Sequence, residues 1–239
     1  MNRGICALIL LGLTAQGALA ARQHDTVLNS KPTGLALWDE QSMKELLPAP
    51  PQKGSLTDRR DYAEILGWQR LRTHAECAAA QREVEVSLAI FFGGDGGPLA
   101  TAEVEKLNSF FWRLAGETNY VVQNTKKMWD RPRPYVADAR VEPCVEKEKT
   151  KAYPSGHAAI ARVFELTLHR LYPERTKAIT KRARELSAHR VMVGMHHPTD
   201  VEAGELLGNK IFDRISTSKE FQGALATLTP AARKTTAEQ

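Results

Sequence analysis

Residues 153–171 read YPSGHAAIARVFELTLHRL, and their character changes after four positions. Pro154, Ser155 and Gly156 are turn and cap residues. From His157 onward, side chains four, seven and eleven positions apart fall on one face of a helix. That face is His157, Ala161, Phe164 and Leu168, so the spacing predicts a helix over residues 155–171 with one buried stripe. An imidazole in the first turn, beside a glycine and a hydroxyl, is out of place in a plain core helix. The free N–H groups and the dipole at a helix N-terminus favour an anion. Gly156 would let such a ligand come close to the backbone.

Two later segments repeat the pattern of an ionisable group in line with an apolar stripe. Pro173 marks the start of a helix running to about residue 195, with Ile179, Ala183, Leu186 and Arg190 on one face. Pro198 opens another, PTDVEAGELLGNKIFDRI, with Asp200, Ala203 and Leu207 aligned and His196 four residues before Asp200. Each polar group alone has an ordinary explanation. A core histidine is usually just hydrogen-bonded, an arginine near a helix C-terminus complements the dipole, and an aspartate favours a helix start. Together they point to one pocket where helix ends meet. A buried arginine needs a partner, so Arg190 calls for an anion. Lys126 and Arg133, in KKMWDRPRP, add positive charge. A tetrahedral anion surrounded by many donors describes phosphate.

Outward from this centre the chain is helical. Its 239 residues, 42% of them hydrophobic, suit one domain with a real core. Residues 55–92 are rich in Ala, Glu and Arg at helical spacing and predict two helices. GGDGGP, residues 93–98, breaks the chain and lacks the Gly-Lys-Ser/Thr ending of a phosphate loop, so it reads as a turn. Residues 101–129 are helical again, divisible at Gly116, and Pro132 and Pro134 close the segment. Residues 135–151 form a polar loop, and a short helix is expected near residues 218–228. No strand alternation and no internal repeat appear. The expectation is all-α: a catalytic helical domain over residues 55–230, preceded by an irregular lead-in (21–54) ending in the proline-rich LLPAPPQKGS and followed by a flexible tail (231–239).

Residues 1–20 stand apart. Arg3, an apolar run from Ile5 to Leu13, and Ala18-Leu19-Ala20 before Ala21 have the layout of a cleaved signal peptide, which predicts a periplasmic or secreted protein. The run is too short to span a membrane comfortably, and no later run is long enough, so no stable membrane insertion is expected. Losing Arg3 with the leader takes the formal charge from +5 to +4. The positive charges are dispersed, which argues against nucleic acid. Cys77 and Cys144 then remain, and the sequence admits either one disulfide or two separate buried thiols. No cysteine or histidine cluster has zinc spacing.

Three blocks resemble those of the phosphatidic-acid-phosphatase type 2 superfamily: K-x6-R-P, P-S-G-H and R-x5-H-x3-D. Here they are Lys126…Arg133-Pro134, Pro154-Ser155-Gly156-His157 and Arg190…His196…Asp200, in order and in spacing. The chain is similar above all to the bacterial class A nonspecific acid phosphatases, over residues 46–208. It departs from them at His189, where they usually have Ser, and at Lys151-Ala152-Tyr153, where they often have Gly-Ser-Tyr.

The resemblance implies a helical fold of the acid phosphatase and vanadium haloperoxidase type. It also implies hydrolysis of small phosphomonoesters (nucleotides, sugar or aryl phosphates) without a cofactor or metal. His196 would be the nucleophile, Asp200 its support and His157 the acid and base. Lys126, Arg133, Ser155, Gly156 and Arg190 would hold the phosphate. His157 charged and His196 neutral at attack implies activity below neutral pH. His189 and His197 fall outside the motif and are expected to be surface or supporting residues. Competing expectations are a vanadate-dependent haloperoxidase, whose relatives are much longer, a lipid phosphatase, and a non-catalytic phosphate-binding protein. A homo-oligomer is left open.

Overall fold

The computed structural model describes residues 32–94 and 96–229. The expected leader, the first part of the lead-in and the tail lie outside them. Among the described residues there are helices, turns and loops and no strand. The helices are α1 (Glu40–Lys44), α2 (Leu56–Leu71), α3 (His74–Arg82), α4 (Leu88–Phe92), α5 (Thr101–Met128), α6 (Pro134–Ala137), α7 (Gly156–Leu171), α8 (Thr176–Met192), α9 (Pro198–Ile215) and α10 (Lys219–Leu228). None of the described helices is long and apolar enough to cross a membrane.

Capping chemistry sets most boundaries. Ser155 is the N-cap of α7, and its Oγ accepts from Ala158 N. Pro198 occupies the first turn of α9, where its missing N–H is harmless. Three expectations need correction. Residues 55–92 form three helices, not two, because Thr73 and Glu76 make a reciprocal capping box that restarts the chain at α3, and Ser87 caps α4. The long α5 passes through Gly116 without a break. Buried Leu107, Phe111, Leu114, Val121 and Val122 continue one packed face across it, outweighing roughly 1 kcal/mol of glycine propensity. The lead-in is not wholly irregular: Asp39 caps the short α1.

Helix α7 is central and packs against α5, α8 and α9. Phe164 on its buried face meets Phe111 edge-on at 4.9 Å and touches Phe91 and Phe92. Burying one such ring stabilises the fold by roughly 1.5–3 kcal/mol. The α7–α9 contact is close because α9 carries glycine where it crosses. A Cβ at Gly204 would sit 2.4 Å from the Ser155 carbonyl oxygen, and one at Gly208 would sit 2.7 Å from Arg162 Cβ. This contact brings the starts of α7 and α9 together, and Ser155 N donates to Asp200 O at 2.8 Å. The cysteines are joined: Cys77 of α3 is bonded to Cys144, which lies in the loop leading toward α7.

Candidate active site

One end of the bundle gathers the C-terminal ends of α5 and α8 and the N-terminal ends of α7 and α9. A 420 Å³ cavity opens there. Lys126, Arg133, Gly156, His157 and His196 line it, together with Glu148 and the apolar side chains of Val84, Val86 and Ile160. Ser155, Arg190 and Asp200 are buried and are not among the lining residues. The Ser155 hydroxyl is engaged as the α7 cap.

Behind the cavity lies a network around Asp200, which is 0% exposed. Its Oδ1 accepts from Arg131 Nη1 at 2.7 Å, and its Oδ2 accepts from His197 N at 2.8 Å and faces His197 Nδ1 at 2.9 Å. His196 Nδ1 is 3.5 Å from Oδ2. That is ion-pair range but long for a hydrogen bond, so His197 makes the closer contact. Arg131 Nη2 donates to Asp61 Oδ2 at 2.8 Å, which also accepts from Thr199 Oγ1 at 2.5 Å. Asp200 is thereby tied to α2. Burial pushes its carboxyl up, but the adjacent imidazoles of His196 and His197 outweigh this and hold it well below the usual range.

The cavity side is differently arranged. Arg133 Nη1 lies 2.8 Å from His196 Nε2. A guanidinium only donates, so Nε2 carries the lone pair and Nδ1 the hydrogen that faces Asp200. Burial first, then Arg133, holds His196 well below its ordinary pKa and therefore neutral. Arg133 Nη2 donates to Glu148 Oε2 at 2.5 Å, and Arg190 Nη2 donates to Glu148 Oε1 at 2.6 Å. The anion that Arg190 required is thus the side chain of Glu148. Two further Arg190 nitrogens, Nε and Nη1, are buried without a partner.

Lys126 Nζ donates to the Lys151 carbonyl. Burial, reinforced by Arg133, lowers its pKa to about 7. His157 Nε2 lies 3.1 Å from the Val84 carbonyl, which can only accept. Nε2 therefore carries hydrogen, and Nδ1 is the nitrogen left to take a proton. Burial and then Arg190 lower the His157 pKa to about 3. Above about pH 3 the His157 ring is therefore neutral.

The structure thus brings His157, His196, Lys126, Arg133 and Gly156 around one cavity and sets Asp200, Arg190 and Ser155 behind it. Sequence reasoning missed Glu148, Arg131 and Asp61. Of the two histidines expected to be surface or supporting residues, His197 is a supporting one, buried against Asp200, and His189 meets Glu83 Oε2 at 2.7 Å and does not line the cavity. His197 and Asp200 are three apart at a helix start, a capping-box spacing that was available in the sequence. Among the described residues no group of three or more His, Cys, Asp or Glu side chains is placed to hold a metal ion.

A helical bundle whose helix ends converge on buried arginines, a lysine and two histidines is the architecture of a phosphoryl-handling enzyme. Residues 109–212 match the PAP2 superfamily. The chain is 35% identical to a non-specific acid phosphatase of Salmonella typhimurium (strain LT2), over 75% of this chain and 76% of that protein. It is 26% identical to the non-specific acid phosphatase of Providencia stuartii, over 83% of this chain and 84% of that one. A crystal structure described as the first bacterial vanadium-dependent iodoperoxidase shares the fold, with a TM-score of 0.53 at 15% identity over 73% of this chain and 53% of that chain. This chain belongs to the PAP2 superfamily, with the bacterial non-specific acid phosphatases. It is a phosphomonoesterase acting on small phosphate esters.

Proposed function

We propose that this phosphatase works through a phosphohistidine on His196. The observation that carries the site reading is Arg190: fully buried, with Nε and Nη1 unpartnered beside a cavity that already holds Arg133 and Lys126. Buried donors without acceptors are costly, and an incoming phosphoryl group supplies the acceptors. His196 Nε2 attacks phosphorus as the ester P–O bond breaks. Asp200 stabilises the charged ring that results. His157 Nδ1 accepts the proton that the monoanionic ester carries in and passes it to the leaving oxygen, and His157 then removes one from the water that attacks the phosphohistidine. Inorganic phosphate leaves and His196 is regenerated.

Lys126, Arg133, Arg190 and the α7 N-terminus supply the positive field for the phosphoryl oxygens, so no metal is needed for that task. The apolar flank of Val84, Val86 and Ile160 makes no directed hydrogen bond to a leaving group, which supports broad acceptance of aryl, sugar and nucleoside esters. The signal-peptide layout of residues 1–20 supports export to the periplasm or beyond.

The test is hydrolysis of an aryl phosphate by purified protein with a chelator present, across pH, with vanadate as inhibitor. With His157 neutral above about pH 3 in the free enzyme, the proton for the leaving group comes in with the monoanionic ester. The second pKa of such esters is about 6. Therefore kcat/KM should persist in chelator, fall as pH rises above about 6, and be suppressed by vanadate. A profile flat into alkaline buffer would contradict the assigned roles of the histidines.

A further inference from the structure

We propose that Glu148 is an internal competitor for the phosphoryl group: its carboxylate occupies the two guanidiniums, Arg133 and Arg190, that the substrate must take over. This rests on the phosphoryl-site reading above. Glu148 spans both arginines, at 2.5 and 2.6 Å. Burial pushes its carboxyl up, but Arg190 and Arg133 hold it well below the usual carboxylate range, so it stays charged at any working pH.

The backbone around Glu148 is fastened. Tyr135 Oη donates to the Glu148 carbonyl at 2.7 Å, Arg133 Nε donates to the Thr150 carbonyl at 2.9 Å, and Cys144 is bonded to Cys77. What can move is the side chain, which is 28% exposed and so has a path to solvent. Displacement is therefore a rotamer swing rather than the opening of a loop.

The arrangement also makes a filter. A carboxylate has two oxygens, and Glu148 already supplies them. A phosphoryl group has three, so it can replace Glu148 on both arginines and still offer a third oxygen to one of the Arg190 donors, Nε or Nη1, that Glu148 leaves unpaired. Small planar carboxylates gain nothing over Glu148 and are excluded. Glu148 is thus a specificity residue, and the reacting atoms never bond to it.

The experiment compares wild type, Glu148→Gln and Glu148→Asp, using inorganic phosphate and formate as inhibitors of aryl phosphate hydrolysis. Removing one charge-assisted competitor should lower the Ki of phosphate by roughly tenfold or more in Glu148→Gln, with a matching fall in KM. Formate should inhibit Glu148→Gln and not wild type. Glu148→Asp, too short to span both arginines, should shift the same way by less, and serves if the Gln variant does not fold. Phosphate should also raise the Tm of the variants more than that of wild type, which a merely structural role would not produce. An unchanged or raised phosphate Ki, or a large loss of kcat at constant Ki, would overturn the proposal. If phosphate inhibits wild type and variants equally, only this inference falls; if it inhibits none of them, the phosphoryl-site reading falls too.

Discussion

Asp200 and Glu148 are both carboxylates paired to buried arginines at the same end of the bundle, yet they stand in opposite situations. Asp200 is sealed, and its donors, from Arg131 and His197, belong to the framework behind the cavity. Glu148 is part of the cavity wall, and its donors are the cations that a phosphoryl group would use. An ion pair among groups with no other task fixes geometry. One among groups that a ligand can claim is exchangeable. Removing a partner from a sealed pair leaves an uncompensated buried charge, at about 3–5 kcal/mol. Removing Glu148 leaves charges that the substrate itself can neutralise.

The sharpest way to break this contrast is Asp200→Asn. The amide would present N–H toward a ring nitrogen that needs an acceptor, so His196 would lose its tautomer and the support for its charge. The expected result is a drop in kcat of roughly 10³–10⁴-fold, with lower thermal stability and little change in the Ki of phosphate, because Arg133 and Arg190 are untouched. A variant at the same position in the network that lost phosphate binding and kept kcat would invert the assignment of the two walls. Glu148→Gln, in contrast, should tighten anion binding.

A smaller effect sharpens the cavity side. Lys126 titrates at about 7, lowered mainly by burial. Its charge is present below that pH and lost above it, so anion affinity should weaken as pH rises through 7. Sulfate keeps a constant charge over this range and is the clean probe. Its Ki should be level below pH 7 and rise by up to about tenfold per pH unit above it. A level Ki through pH 9 would mean that Lys126 keeps its proton or does not face the anion.

Legibility in the sequence followed the range of the interaction. The span of α9, residues 198–215, and the Ser155 cap could be read because periodicity, proline and capping act within a few residues. The residues around the cavity could be named because three compact blocks carry them. The break between α2 and α3 was also written locally, in Thr73 and Glu76, but was hidden by the uniform Ala, Glu and Arg composition around it. Asp61 was not readable at all: its link to Arg131 spans 70 positions, and nothing in the α2 pattern marks it. Glu148 was half-readable. Arg190 announced that an anion was required, but a loop carboxylate 42 positions away has no periodicity to give it away. The disulfide was decided only by the fold that sets α3 beside the loop bearing Cys144.

The central claim is that His196 Nε2, freed from Arg133, is the atom that takes the phosphoryl group. Rapid acid-free quenching during turnover of an aryl phosphate, followed by mapping of the phosphorylated peptide, tests it most directly. The expected result is a transient, acid-labile and base-stable label on His196 that is absent in His196→Ala, with turnover in that variant lost by far more than the roughly 10²–10⁴-fold attributable to acid–base help. A label on another residue, or full turnover with His196 replaced, would contradict it.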